Sequence, residues 1–277
     1  MSLSVNTNIS AIDAYNNLNA TSNAMQQTIS ELSSGLQIQT AADNASGYVI
    51  SQGLDVQANG LGVAINNGQN GISVLQIAAG AMNQQISILQ RMNELATQAA
   101  NAGTANSGSL AADQQEFQAL QNQLDQIANS TQFGQTQLLN GTYSNQSFQI
   151  GAYASSFDQV VVSIATLNTT SMGVSSAAIS IGTSSAALSA MVAVQSAIQY
   201  VASTEATVGA TQNQIQAIIA NDTVGQQNVQ SAYSTLVDTN VAQAMTKFSS
   251  QQVLMQSGIA MLSQAQSLPQ LLLKLIP

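Results

Sequence analysis

The sequence predicts a mainly α-helical protein, with long coiled-coil-like helices drawn from both ends of the chain and one small β-hairpin between them. Three observations carry this. Apolar residues keep a three-four rhythm at both ends: Val5, Ile9, Ile12, Leu18, Met25, Ile29 and Leu32 at the start, and Met245, Phe248, Met255, Ile259 and Leu262 near the finish. There are only two prolines, Pro269 and Pro277, in a chain rich in the helix-favouring Ala and Gln, so little interrupts long helices. Two short runs instead alternate with period two, Phe148 and Ile150, then Val160, Val162 and Ile164. A short amphipathic helix is marginal alone in water, so each striped end seeks a partner, either the other end or the ends of further copies.

The first helix is expected over residues 3–33, with Gly35 at the left-handed position past its end. Residues 36–42 read as an irregular connector, and Asp43 as the N-cap of the next helix. That helix is expected over 44–101, with a stripe of Leu61, Ile65, Gly68, Ile72, Leu75, Ala79, Met82, Ile86 and Leu89. Four sustained heptads argue for coiled-coil-like packing along a helix roughly 85 Å long. Its glycines, Gly53, Gly60, Gly62, Gly68, Gly71 and Gly80, each cost up to ~1 kcal/mol against Ala, so packing must hold it. A small-residue turn over 102–108 precedes a third helix, 109–129, striped by Leu110, Phe117, Leu120, Leu124 and Ile127. Asn140-Gly141 marks a turn before the hairpin, whose loop is expected over Gly151 to Asp158. Residues 166–185 hold no charge and read as a variable, exposed segment. A long helix is expected over 187–237, then a break at Asp238 to Asn240 and a last helix from Val241 to Leu268, before Pro269. The resulting nested layout gives a terminal helical domain (1–43 with 240–277), a long-helix domain (44–140 with 187–239), and the hairpin with its variable segment (141–186).

Composition narrows the function. Three basic residues, Arg91, Lys247 and Lys274, stand against twelve acidic ones, so 5% of the chain is charged where about 25% is usual. This is depletion of charge rather than acidity: Gln and Asn occupy the positions where helix faces usually carry Lys, Arg and Glu. Nucleic-acid binding is not expected, because no basic patch could neutralise phosphates. No membrane association is expected either, since polybasic segments are missing and the apolar stretch Leu271 to Ile276 is too short to span a bilayer. The N-terminus MSLSVNTNIS has no basic start leading into an apolar run, so no cleaved signal peptide is expected. With neither His nor Cys, nucleophilic triads and zinc sites are excluded, and the scattered carboxylates read as caps and surface groups. No enzyme activity, cofactor or metal is expected. Met82, Met245, Met255 and Met261 at helical spacing read as core packing. Arg91, the sole arginine, sits three residues before Glu94, which allows an ordinary intrahelical ion pair or a more specific contact within or between subunits.

The residues in order resemble bacterial flagellin. Glu31-Leu32-Ser33-Ser34-Gly35-Leu36 followed by Ala41-Ala42-Asp43-Asn44-Ala45-Ser46-Gly47 looks like the family's N-terminal signature. Asn67-Gly68-Gln69-Asn70-Gly71-Ile72-Ser73, Leu89-Gln90-Arg91-Met92-Asn93-Glu94-Leu95-Ala96, and Thr131-Gln132-Phe133-Gly134 before Leu138-Leu139-Asn140-Gly141 extend it. At the other end, Gln256-Ser257-Gly258, Leu262-Ser263-Gln264-Ala265 and Leu268-Pro269-Gln270 complete it. The resemblance covers about residues 3–165 and 187–276. It implies a filament subunit for swimming motility: the terminal helices would form the inner tube of a hollow filament, ordered on polymerisation, and the long helices the outer tube, with the hairpin on its outer side. It also implies export through the flagellar channel by way of an export chaperone, addition under a filament cap protein, and contact with hook-filament junction proteins. In relatives recognised by the animal flagellin receptor, the contact lies on the long helix, where Gln90, Arg91, Leu95 and Glu116 match. Flagellins usually carry Arg in place of Gln37 and Lys in place of Ala42, and Asn93 stands where an arginine is common. The alternatives are a hook-filament junction protein and, in another class, a secreted coiled-coil membrane-active protein. A flagellin frame carrying a protease would need metal ligands that residues 166–186 lack.

Overall fold

A computed structural model of the chain describes residues 7–101, 103 and 106–273, the last six by backbone alone. Five α-helices stand among the described residues: α1 (Ile9–Ser34), α2 (Ala45–Ala100), α3 (Ser107–Ser130), α4 (Ser184–Val237) and α5 (Val241–Leu273). Two small antiparallel ladders join them, β1 (Gln132–Phe133) with β2 (Thr136–Gln137), and β3 (Gln146–Gln149) with β4 (Gln159–Val162). The mainly α architecture with a small hairpin is the expected one. The chain divides into two compact units, residues 1–56 with 228–277 and residues 57–227, so both boundaries fall inside α2 and α4 rather than at the connectors, and the hairpin belongs to the second unit.

In the second unit, α2 buries one continuous seam: Leu61, Ala64, Gly68, Gly71, Leu75, Ala78, Met82, Gln85, Leu89, Met92, Ala96 and Ala99. The spacing is a strict three-four alternation, the heptad a and d positions of a coiled coil. Five of the nine residues of the expected stripe, Leu61, Gly68, Leu75, Met82 and Leu89, lie in this seam. The other four, Ile65, Ile72, Ala79 and Ile86, lie one residue beyond it and are only half-buried. The difference has a physical cause: small residues along the seam, Ala64, Gly68, Gly71 and Ala78, leave room for side chains of other elements, and Gln85 reaches the Leu167 carbonyl. A Cβ on Gly71 would come within 3.3 Å of the Phe148 ring, and one on Gly68 within 2.9 Å of Ile219. α4 answers with its own alternation, Ala187, Ala190, Val194, Ala197, Val201, Thr204, Val208 and Ile215. Hydrogen bonds fix the direction. Ser184 donates to the Ala100 carbonyl (2.6 Å), Asn83 to Glu205 (2.8 Å) and Gln226 to the Ala58 carbonyl (3.1 Å), so α2 and α4 run antiparallel.

The Asn106 side chain caps α3 in a reciprocal pair with Ser109, and α3 buries Phe117, Gln121, Leu124 and Ala128 in the same core. The hairpin forms as its period-two runs predict: Phe148 faces Val160, and β4 alternates with Val160 and Val162 buried and Val161 exposed. The β1–β2 ladder was not expected; its two-residue strands flank Gly134, whose φ of +61° makes the reversal.

Residues 166–185 correct the sequence reading most. The segment lies on the core, with Leu167, Thr169, Met172, Val174 and Ile181 all buried. Its backbone groups find partners on helix side chains: Gln85 donates to the Leu167 carbonyl (2.9 Å) and Gln121 to the Val174 carbonyl (2.8 Å). Asp125 accepts from the Thr169 amide and hydroxyl (both 2.8 Å), and Gln114 from the Ile181 amide (2.6 Å). Irregular backbone can be buried only where such partners exist. Replacing Gln121 by Ala removes the donor to a buried carbonyl and should cost about 1–3 kcal/mol. Urea unfolding of the full chain checks this against the exposed control Gln118→Ala, which should change stability by less than about 0.5 kcal/mol.

Candidate functional site

The first unit holds the terminal helices. Asn8 caps α1, its side-chain oxygen accepting from the Ala11 amide (3.1 Å), and Gly35 ends the helix at φ +75°. The connectors after α1 and α4 pair in a short antiparallel bridge, Leu36 with Asp238, where Gln37 donates to the Val237 carbonyl (2.6 Å) and Thr239 to the Gly35 carbonyl (2.8 Å). Asp43 does not cap α2. That role falls to Asn44, whose side chain accepts from the Gly47 amide (2.9 Å), because α2 starts one residue later than Asp43 could serve. Asp43 instead accepts from the backbone of Thr40 and Gln39, and these bonds hold its carboxyl below the usual carboxylate range. Gly47 is small because the end of Ile38 lies where a Cβ would stand.

α1 and α5 pack antiparallel, and the packing divides the expected stripe in two. Leu18, Met25 and Leu32 on α1, and Phe248, Met255 and Leu262 on α5, recur every seven residues and are half-buried. Gly258 lets the pair close: a Cβ there would meet Leu18 at 3.2 Å. Ile12 and Ile29, with Met245, are about half exposed or more, and Ile9 is 61% and Ile259 54% exposed. More apolar side chains are exposed than the sequence stripe suggested, since Tyr15, Val241, Val253, Leu254 and Met261 are exposed too, on more than one side of their helices. Met245 and Met261 are thus surface residues rather than core. Residues one position off a chosen stripe are missed when only a single period is followed. Val5 lies outside the described residues. A groove of about 490 Å³ opens between the two helices, lined by Ala14, Leu18, Thr21, Leu254, Gly258 and Met261 among others.

Asn8 closes the end of this pair in a second way. α5 continues to Leu273, past the expected stop before Pro269. Proline has no N–H to give the carbonyl four residues back, here that of Ala265. The Asn8 side-chain amide donates to that same carbonyl at 2.7 Å.

The second candidate cluster is on the second unit. Arg91 donates through Nε to Glu116 (2.9 Å) and through a terminal nitrogen to Glu94 (3.1 Å), so both the intrahelical pair and a contact to α3 form. Gln90 is exposed, but Leu95 is only 1% exposed, because it is one of the core residues beside the α2 seam; it cannot belong to a surface contact. No cluster of three or more His, Cys, Asp or Glu that could hold a metal occurs among the described residues. α4 is long and apolar enough to cross a membrane by length and composition, with a window of mean hydropathy 1.3, although no unbroken apolar run in it is long. Its Ala and Val seam in the second unit gives that composition a packing role.

The flagellin families match both ends: the bacterial flagellin N-terminal helical region over residues 5–144 and the bacterial flagellin C-terminal helical region over residues 191–276. The chain is 35% identical to flagellin of Bacillus subtilis (strain 168), over 98% of this chain and 99% of that one. It is 49% identical to flagellin D of Vibrio anguillarum over 55% of this chain, which spans only 40% of that relative's length. Among solved structures, a crystal structure of Bacillus cereus flagellin aligns with 57% of this chain and 88% of that one, at 25% identity and a TM-score of 0.49.

Arg91 and its two partners are each about half exposed or more. Exposed pairs contribute little. Arg91→Ala should therefore lower stability by less than about 1 kcal/mol in urea unfolding of the full chain, far less than loss of a buried seam residue.

Proposed function

Because the chain belongs to the bacterial flagellin family, we propose that α1 and α5 form the inner tube, and α2, α3 and α4 the outer tube, of the filament it builds. The family makes it a structural subunit that polymerises with its own copies into the extracellular flagellar filament. One observation carries the assignment of the tubes. The seam side chains of the second unit are buried, whereas the facing side chains of α1 and α5, Leu18, Met25, Leu32, Phe248, Met255 and Leu262, are only half-buried; apolar side chains stand exposed on both units, Ile12, Ile259 and Met261 on the first and Phe157, Leu188 and Val192 on the second. Apolar faces of that extent are covered by partners, and in a homopolymer the partner is another copy. The groove beside Leu18 and Gly258 is a natural seat for a neighbour's side chains.

Gln90, Arg91 and Glu116 belong in this reading to a polar contact on the outer tube. The burial of Leu95 and the presence of Asn93 where an arginine is common weaken the case for the animal receptor as their partner. An export chaperone, a filament cap protein and hook-filament junction proteins are the further partners. The role is structural rather than enzymatic, in keeping with a chain that has no His or Cys.

Burying an exposed Ile contributes about 1.5–3 kcal/mol. Ile12→Ser or Ile259→Ser should raise the concentration of free chain coexisting with seeded filaments by roughly ten- to a hundredfold, with the urea unfolding of the second unit unchanged. Sedimentation after seeding measures it; a coexistence concentration unaffected by both substitutions would refute the assignment of the terminal helices. The Asn8 bond gives a sharper test. Asn8→Ala should lower the melting temperature of filaments through loss of both the α1 cap and the Ala265 bond, and by less in a Pro269→Ala background, where Ala265 regains its helical donor and only the cap is lost. Equal losses in both backgrounds would show that the bond to Ala265 is not what Asn8 contributes.

A further inference from the structure

We propose that this subunit is built to stay folded and assembled in acid, so that protonation relieves rather than creates repulsion between its copies. The proposal rests on the filament reading for its assembly part alone. The first observation is a ceiling on charge. With three Lys and Arg and no His, complete protonation of the twelve carboxylates takes the side-chain charge from −9 to only +3. A chain of this length with ordinary composition holds about 70 charged residues and would be left with on the order of 30 uncompensated cations. Such self-repulsion is what drives acid expansion of compact proteins and parts their assemblies.

The second observation is independent and lies in the contacts. The polar bonds that tie one element to another run mostly from amides and hydroxyls to backbone carbonyls: Asn8 to Ala265, Asn67 to Gln149, Gln85 to Leu167, Gln121 to Val174, Gln226 to Ala58 and Ser184 to Ala100. None of these groups titrates between neutrality and strong acid. Both ion pairs among the described residues belong to Arg91, on the surface. The exposed surface of α1 and α5 mixes apolar with neutral polar side chains, and the described charged residues of these helices are Asp13 and Glu31 on α1 and Lys247 on α5, so acid finds few ion pairs to break.

The titratable exceptions do not reverse this. Apart from the Arg91 pairs, only two carboxylates among the described residues bond a distant part of the second unit: Asp125, which accepts the Thr169 amide and hydroxyl on its two oxygens, and Glu205, which accepts from Asn83. Asp43, held low by the Thr40 and Gln39 amides, contributes stability that is lost as pH falls through its folded value. Asp222 acts in the opposite sense. Partial burial and the facing Asp158 raise its proton affinity in the fold, so its protonation stabilises as pH falls.

The test compares seeded filaments of the full chain at pH 7 and pH 3 in low salt by sedimentation, and follows the melting of helical circular dichroism of unassembled chain over the same range. The proposal expects at least as large a pelleted fraction at pH 3 as at pH 7, and a melting temperature that does not fall. Release of most subunits at pH 3, or a melting temperature that drops on acidification, overturns it. If no filament forms at pH 7, the filament reading fails instead, and the melting measurement still decides the folded-state claim. A second chain with Gln118→Lys, Gln123→Lys, Gln126→Lys, Gln195→Lys and Gln199→Lys, all at exposed positions, raises the fully protonated charge from +3 to +8, and its melting temperature should fall on acidification relative to that of the original. If that chain withstands pH 3 as well as the original, the charge ceiling is not the cause and the proposal falls.

Discussion

The seam of small and medium side chains between antiparallel helices is the interaction on which the rest of the molecule depends. Nothing else could hold α2. Its glycines weaken it as an isolated helix, and its surface offers almost no charged pairs to support it. What those glycines and alanines give in return is close approach: Gly71 admits the Phe148 ring, and Gly68 lies against Ile215 and Ile219. The hairpin and the segment over residues 166–185 are seated on the same core, and the amides of Gln85 and Gln121 complete the hydrogen bonding of backbone that would otherwise be buried without partners.

The terminal pair uses the same geometry but leaves it half finished. Leu18, Met25 and Leu32 meet the face of Phe248, Met255 and Leu262, and Gly258 brings the helices together, yet further apolar side chains stay in solvent. A helix pair with its seam half-buried and apolar side chains exposed is suited to a polymer, because each added copy completes the burial of the one before. The near-absence of charge follows the same logic. Apolar packing and amide hydrogen bonds supply the cohesion, and charge steering has few residues with which to act.

Much of the architecture was legible in the sequence because period and punctuation are local properties. The three-four rhythm located the helices, the period-two runs located the hairpin, and Gly35 marked the end of α1 where its backbone is left-handed. What could not be read depended on contacts between distant residues. Ile65 and Ile72 looked better core residues than Ala64 and Gly71, and only the approach of other elements shows why the smaller residues are the buried ones. The uncharged stretch after the hairpin looked exposed because its partners, Gln114, Gln121 and Asp125, lie 44 to 67 residues away. The burial of Leu95 beside exposed Gln90 and Arg91 is invisible in a motif match, which carries no information about which way a side chain faces. The helix continuing past Pro269 was unreadable for the same reason, since the donor that replaces the missing N–H comes from Asn8.

Amide hydrogen exchange, compared between filaments and unassembled chain, tests most directly the claim that the terminal helices finish their burial by assembly. The account predicts that amides along the buried α2 and α4 seams, Leu61 to Ala99 and Ala187 to Ile215, are strongly protected in both states, whereas those of α1 and α5 gain at least a hundredfold in protection on polymerisation. Terminal helices protected as strongly in the free chain as the seams, or unchanged in the filament, would contradict it.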